Sequence, residues 1–204
     1  MFIKNKYEIC RNVISKEIVN FLYEYILLKK IVCQTLIKGR YISPFDKTYG
    51  ILGSDGQVIH ENTYSSYGDV AVETLLEKLR PLVEKATKEK LNSNYSYLRV
   101  YGKDNELIKH IDRMSCEFST TLNIGGDLWP IFLKDKKGKE IEVKLKPGDM
   151  LIYKGMELEH WRNKFTGNMC VQVFLHYNKQ STGIKYDYRA HLGLPAHTRN
   201  VKND

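Results

Sequence analysis

Only four cysteines occur in this chain of 204 residues, Cys10, Cys33, Cys116 and Cys170, and no two stand close enough to form a CxxC pair. A cysteine-built zinc cluster is thereby excluded, since such sites draw their thiolates from closely spaced pairs. Free thiols fit a reducing compartment, so a cytoplasmic location is expected. Long apolar runs are missing as well. The most hydrophobic window, "VNFLYEYILL", is too short and too polar to span a bilayer, and no membrane partner is expected. The opening "MFIKNKYEIC" lacks the apolar centre of a secretory leader. Internal repeats and low-complexity segments are also absent.

What is present is ordinary for a globular protein. Hydrophobic residues make up 42% and charged residues 27%, which argues against disorder. The net charge of +8 comes from lysines spread along the whole chain. That pattern reads as a solvated basic surface rather than a nucleic-acid face, so a nucleic-acid partner is not favoured. The length suits one domain.

Two halves differ in period. "VISKEIVNFLYEYILLKK" carries its apolar residues at helical spacing, with Ser15 as N-cap and a lysine pair in the last turn. Residues 31–60 read as short strands broken by turns, "GSDGQ" being the clearest. "VAVETLLEKLRPLVEKATKEKL" is again helical, with Pro81 expected to kink it or to start a new helix. After Leu91 come eight short β-rich segments separated by Gly, Asp, Asn and Pro. The expected fold class is α+β, with N-terminal supporting helices packed outside a β-sandwich or barrel. The chain is read as a single domain over 1–204: helical support and substrate loops over about 1–92, a β core over about 93–180, and an irregular tail over 181–204.

The candidate chemistry centres on "KHIDR". His110 and Asp112 stand two apart, which on an extended segment puts both side chains on one side. Two histidines and one carboxylate make the facial set that holds non-haem iron(II) and leaves open positions for a co-substrate and dioxygen. Of the six histidines, at 60, 110, 160, 176, 191 and 197, His160 is the best third ligand. It follows "KPGDMLIYKGMELEH", a tight turn into an apolar strand. His60 lies in the turn-rich region, His191 and His197 in the tail, and His176 reads as structural or surface.

From about Tyr95 to Asn178, the segments "YLRVYGKDNELIKHIDR", "KPGDMLIYKG", "HWRNKFTGN" and "QVFLHY" together resemble the iron(II)- and 2-oxoglutarate-dependent oxygenases, in particular the prolyl 4-hydroxylase-like branch. The resemblance implies a double-stranded β-helix, a jelly-roll or cupin-like barrel. It makes His110, Asp112 and His160 the metal ligands and catalytic residues. It implies Fe(II), 2-oxoglutarate and dioxygen, with ascorbate as an accessory reductant. The implied reaction is hydroxylation of an unactivated C–H bond, with a peptidyl proline or another amino-acid residue as first choice of substrate.

One position departs from the family. A basic residue on the final strand should grip the far carboxylate of 2-oxoglutarate, but Gly167-Asn168 is followed by Met169. Arg162, two residues after His160 and therefore on the same side of its strand, is the substitute expected to bind the co-substrate. Lys134, Arg113 and Arg99 compete with it. Tyr101, matching a family tyrosine that reaches the co-substrate, and Asn123 are expected to assist. Trp129 and Trp161 read as packing. Two rival functions stay open: a nucleic-acid oxygenase or demethylase, and a non-catalytic metal-binding cupin-like barrel.

Overall fold

The computed structural model describes residues 1–42, 57–59 and 63–183. A short helix α1 (Phe2–Asn5) and strand β1 (Tyr7–Cys10) precede the long helix α2 (Lys16–Lys38). Ser15 caps α2 as expected, its hydroxyl accepting from the Ile18 N–H at 3.4 Å. The helix runs further than the sequence suggested, through residues 31–38, which had read as strand. The β-branched composition there is overridden by tertiary burial: Cys33 extends the buried stripe of Val19, Leu22 and Ile26. The "GSDGQ" turn lies almost wholly outside the described residues.

Strands β2 (Val58–Ile59) and β3 (Tyr64–Tyr67) lead to helix α3 (Val70–Thr87). Asp69 caps α3 by accepting from the Ala71 and Val72 N–H groups at 3.0 and 3.3 Å. It also takes a hydrogen bond from the Tyr25 hydroxyl at 2.9 Å and an ion pair from Lys29, tying α2 to α3. Pro81 sits inside α3, and no second helix begins there. An interior proline costs roughly 3 kcal/mol. Burial of Val72, Leu75, Leu76, Leu79 and Val83, each 4% exposed or less, contributes about 1.5–3 kcal/mol apiece and outweighs it.

The eight β segments expected after Leu91 all form strands: β4 (Leu91–Gly102), β5 (Glu106–His110), β6 (Phe118–Gly126), β7 (Ile131–Lys134), β8 (Glu140–Val143), β9 (Met150–Tyr153), β10 (His160–Arg162) and β11 (Met169–Lys179). They make two antiparallel sheets, ordered β1-β9-β6-β11-β4-β3 and β2-β5-β10-β7-β8. Alternation divides the six-stranded sheet into two faces. Leu98, Val100, Leu122, Ile124, Val171 and Val173 pack with the helical stripes in the main core. The intervening residues of β4, namely Tyr95, Tyr97, Arg99 and Tyr101, face a cavity on the other side. Leu151 and Tyr153 of β9 pack with Ile131, Leu133 and Val143, which joins the two sheets. Among the described residues, no helix is long and apolar enough to cross a membrane.

Candidate metal centre

In the five-stranded sheet β10 lies between β5 and β7, and register places His160 directly opposite His110. Asp112 follows the end of β5, one residue beyond the exposed Ile111. Asp112 Oδ1 lies 3.7 Å from His110 Nε2 and 3.6 Å from His160 Nε2. Ligand atoms of all three residues fall within 4.8 Å of one another, so the set can hold a metal ion.

The surroundings prepare these side chains. His110 Nδ1 lies 2.7 Å from the Ile108 carbonyl and His160 Nδ1 3.0 Å from the Leu158 carbonyl. A carbonyl acceptor requires the proton on Nδ1, which leaves each Nε2 a bare donor toward the centre. Asp112 accepts from the Ser119 hydroxyl at 2.5 Å, and its own N–H donates to the Gly155 carbonyl at 2.8 Å. Burial alone would push the Asp112 carboxyl up. His160, His176, the Ser119 hydrogen bond and His110 outweigh burial and hold it below the usual carboxylate range. Burial, the largest cause, lowers the His160 pKa and favours its neutral form. A carboxylate and a neutral imidazole are the protonation states that metal ligation needs.

The centre opens on a cavity of about 140 Å³ bounded by residues of both sheets. Tyr101, which is 2% exposed, lines it. Arg99 and Arg113 line it too. Arg162 lies behind this wall, 1% exposed. Its Nη1 donates to the Trp129 carbonyl, and its Nη2 donates to Thr121 Oγ1 at 3.4 Å and Gln172 Oε1 at 3.3 Å. Its Nε is buried with no hydrogen-bond partner among the described residues. A cation buried this completely needs strong polar or anionic partners.

Two candidates fall elsewhere. Asn123 donates from Nδ2 to the Leu145 carbonyl at 2.6 Å, bracing the loop before β9, and is not part of the cavity wall. Lys134 is half exposed and pairs with Glu159 at 3.8 Å, away from the cavity. Trp129 and Trp161 pack as read: Trp129 meets Tyr101 edge-on and Phe165, while Trp161 stacks on Phe132. His60, His191 and His197 lie outside the described residues.

Sequence reasoning missed several residues around the centre. His176, read as structural or surface, is buried in the cavity wall with Nδ1 3.2 Å from Ser119 Oγ. Its place on β11 opposite Ser119 of β6 is the signal that only register supplies. Tyr153 Oη lies 3.4 Å from His160 Nε2, and burial, its largest influence, holds this phenol well above its ordinary pKa. Asp112, Cys116 and His176 form a second close group. Burial first, and then Asp112, push the Cys116 thiol up to about 12, which keeps it protonated.

No protein-family model matches the sequence, and no curated protein matches it. Solved structures do match the fold. A Pseudomonas putida prolyl-4-hydroxylase superposes with a TM-score of 0.61 at 14% identity, over 87% of this chain and 95% of that one. EctD from S. alaskensis with bound Fe gives 0.62 at 15%, over 90% and 76%. HygX from Streptomyces hygroscopicus, with nickel, 2-oxoglutarate and hygromycin B bound, gives 0.62 at 11%, over 87% and 84%. At these identities the likeness establishes the fold: this chain shares the architecture of the prolyl-4-hydroxylase, EctD and HygX.

Proposed function

We propose that this chain is an iron(II)- and 2-oxoglutarate-dependent oxygenase, a single domain built on a double-stranded β-helix, that hydroxylates an unactivated C–H bond. The observation that carries this reading is the convergence of His110, Asp112 and His160 in the wall of a cavity. Fully buried Arg162 lies behind the same wall. Iron with its co-substrate and dioxygen supplies the oxidising chemistry when bound. The chain's own residues do the rest. The Ile108 and Leu158 carbonyls orient the imidazoles, Ser119 and the Gly155 carbonyl orient Asp112, and Arg162, with Thr121 and Gln172 at its side, would hold the far carboxylate of 2-oxoglutarate. Tyr101 lines the same cavity. The resemblance in sequence favours a peptidyl proline or other amino-acid residue as substrate.

Calorimetric titration of 2-oxoglutarate into the nickel-loaded protein tests this reading. Binding should require the metal and should weaken by about 100-fold in Arg162→Gln, the worth of a lost charge-assisted pair. Metal binding without any 2-oxoglutarate binding would instead leave the non-catalytic barrel.

A further inference from the structure

Ser119 Oγ meets three polar groups, and the single proton of its hydroxyl decides how. Asp112 Oδ2 lies at 2.5 Å, His176 Nδ1 at 3.2 Å and the Cys116 carbonyl at 3.3 Å. A carboxylate only accepts, and at 2.5 Å the hydroxyl proton lies between Ser119 and Asp112. Oγ then has only lone pairs left for His176, so Nδ1 carries the proton of that contact. The neutral Nδ1–H tautomer and the imidazolium both supply it. Donation therefore runs from His176 through Ser119 to Asp112.

The fold holds the imidazole in place for this contact. His176 is buried in the cavity wall, and pairing of β11 with β6 sets it opposite Ser119. Its chain neighbours Leu175 and Tyr177 pack in the main core, while its ring lies 4.6 Å from that of Tyr95 on β4. Ser119 is fully buried too, yet its hydroxyl has a choice of two acceptors, Asp112 and the Cys116 carbonyl. A donor fixed on the lone-pair side of Oγ settles that choice.

We infer that His176 is a positioning residue of the metal centre: by donating to Ser119 it keeps the hydroxyl on Asp112 Oδ2, and so reserves Oδ1 for the metal. Oδ1 is the oxygen that lies 3.7 and 3.6 Å from the Nε2 atoms of His110 and His160. A carboxylate that ligates through one oxygen leaves free the position its second oxygen would take, which the facial set needs for a co-substrate and dioxygen. Outer partners of this kind orient a ligand and tune its affinity. The inference rests on the oxygenase reading for its three metal ligands.

The test is a double-mutant cycle on the full chain, read by nickel affinity in calorimetry and by the visible absorption of bound cobalt(II). His176→Phe keeps a ring against Tyr95 and removes the donor. It should weaken nickel binding by about tenfold and alter the cobalt spectrum. The His176→Phe/Ser119→Ala double variant should bind no more weakly than Ser119→Ala alone, because His176 acts through Ser119. His176→Asn, whose amide nitrogen can stand where Nδ1 stands, should restore affinity to within about twofold of wild type and recover the spectrum. His176→Gln, whose amide nitrogen reaches the place of Nε2 instead, should not, and it replaces His176→Phe in the cycle if that variant does not fold. Losses that add in the double variant, unchanged nickel binding in His176→Phe, or no rescue by His176→Asn would each overturn the inference while leaving the oxygenase reading in place. Wild-type protein that binds neither metal would overturn both. Metal binding with the expected cycle but no binding of 2-oxoglutarate would overturn the oxygenase reading and support the inference.

Discussion

A Cβ placed on Gly155 would lie 2.1 Å from Asp112 Oδ2 and 2.5 Å from Ser119 Oγ. The backbone of residue 155 thus passes directly beneath the carboxylate and also accepts the Asp112 N–H. Gly155→Ala must displace Asp112, because the clash is with the functional group itself. Nickel or manganese affinity should fall about 10–100-fold, the range for disturbed outer contacts of a metal site. An unaltered titration curve would show that Asp112 is not held as described.

Ser119 Oγ, 2.5 Å from Asp112 Oδ2, fixes which carboxylate oxygen faces the imidazoles. Ser119→Ala should weaken metal binding by about tenfold, by removing a hydrogen bond to a charged group worth roughly 1.5–3 kcal/mol. The melting temperature serves as control for a general packing defect.

Legibility from sequence followed locality. The eight strands after Leu91 show period-two patterning and turn residues, and they appear where expected. The four-residue strands β1 and β3 carry no such signal, since each exists only by pairing with β9 or β4 far along the chain. The HxD spacing exposed His110 and Asp112, and the "PGD" turn pointed to His160. Ser119, Gly155 and His176 were invisible because their meeting with Asp112 depends on how β6, β9 and β11 align. Alternation from His160 pointed Arg162 inward. The structure buries it outside the cavity lining, past a register shift between the two residues. The Thr121 and Gln172 contacts around it carried no sequence signal.

Those contacts give a third prediction. Gln172 Oε1 accepts from Arg162 Nη2 and from Thr121 Oγ1, at 3.3 and 3.0 Å. Gln172→Leu removes the acceptor and lets the guanidinium shift. Affinity for 2-oxoglutarate should fall by about tenfold, the worth of one hydrogen bond to a charged group, with metal affinity unchanged. Equal losses in both titrations would point to collapse of the cavity instead.

Asp149 links the start of the chain to the turn before β9. It accepts from Arg11 Nη1 at 2.6 Å, the Lys146 N–H at 2.9 Å and the Asn12 N–H at 3.1 Å. Burial would raise its pKa, but the Arg11 and backbone hydrogen bonds prevail and lower it. A depressed carboxylate stabilises the fold above its unfolded pKa of about 3.9, and that stability is lost as pH falls through the folded value. Asp149→Asn should therefore cost about 2–3 kcal/mol at pH 7 in urea unfolding. The gap between variant and wild type should narrow below about pH 4. A gap independent of pH would mean the carboxylate charge contributes nothing.

Succinate formation addresses the central claim most directly. Wild-type protein supplied with Fe(II), 2-oxoglutarate and dioxygen should release succinate, with each of the three required. The His110→Ala/Asp112→Ala double variant, folded by circular dichroism, should release none above the protein-free rate. Succinate release by that double variant equal to wild type would contradict the account.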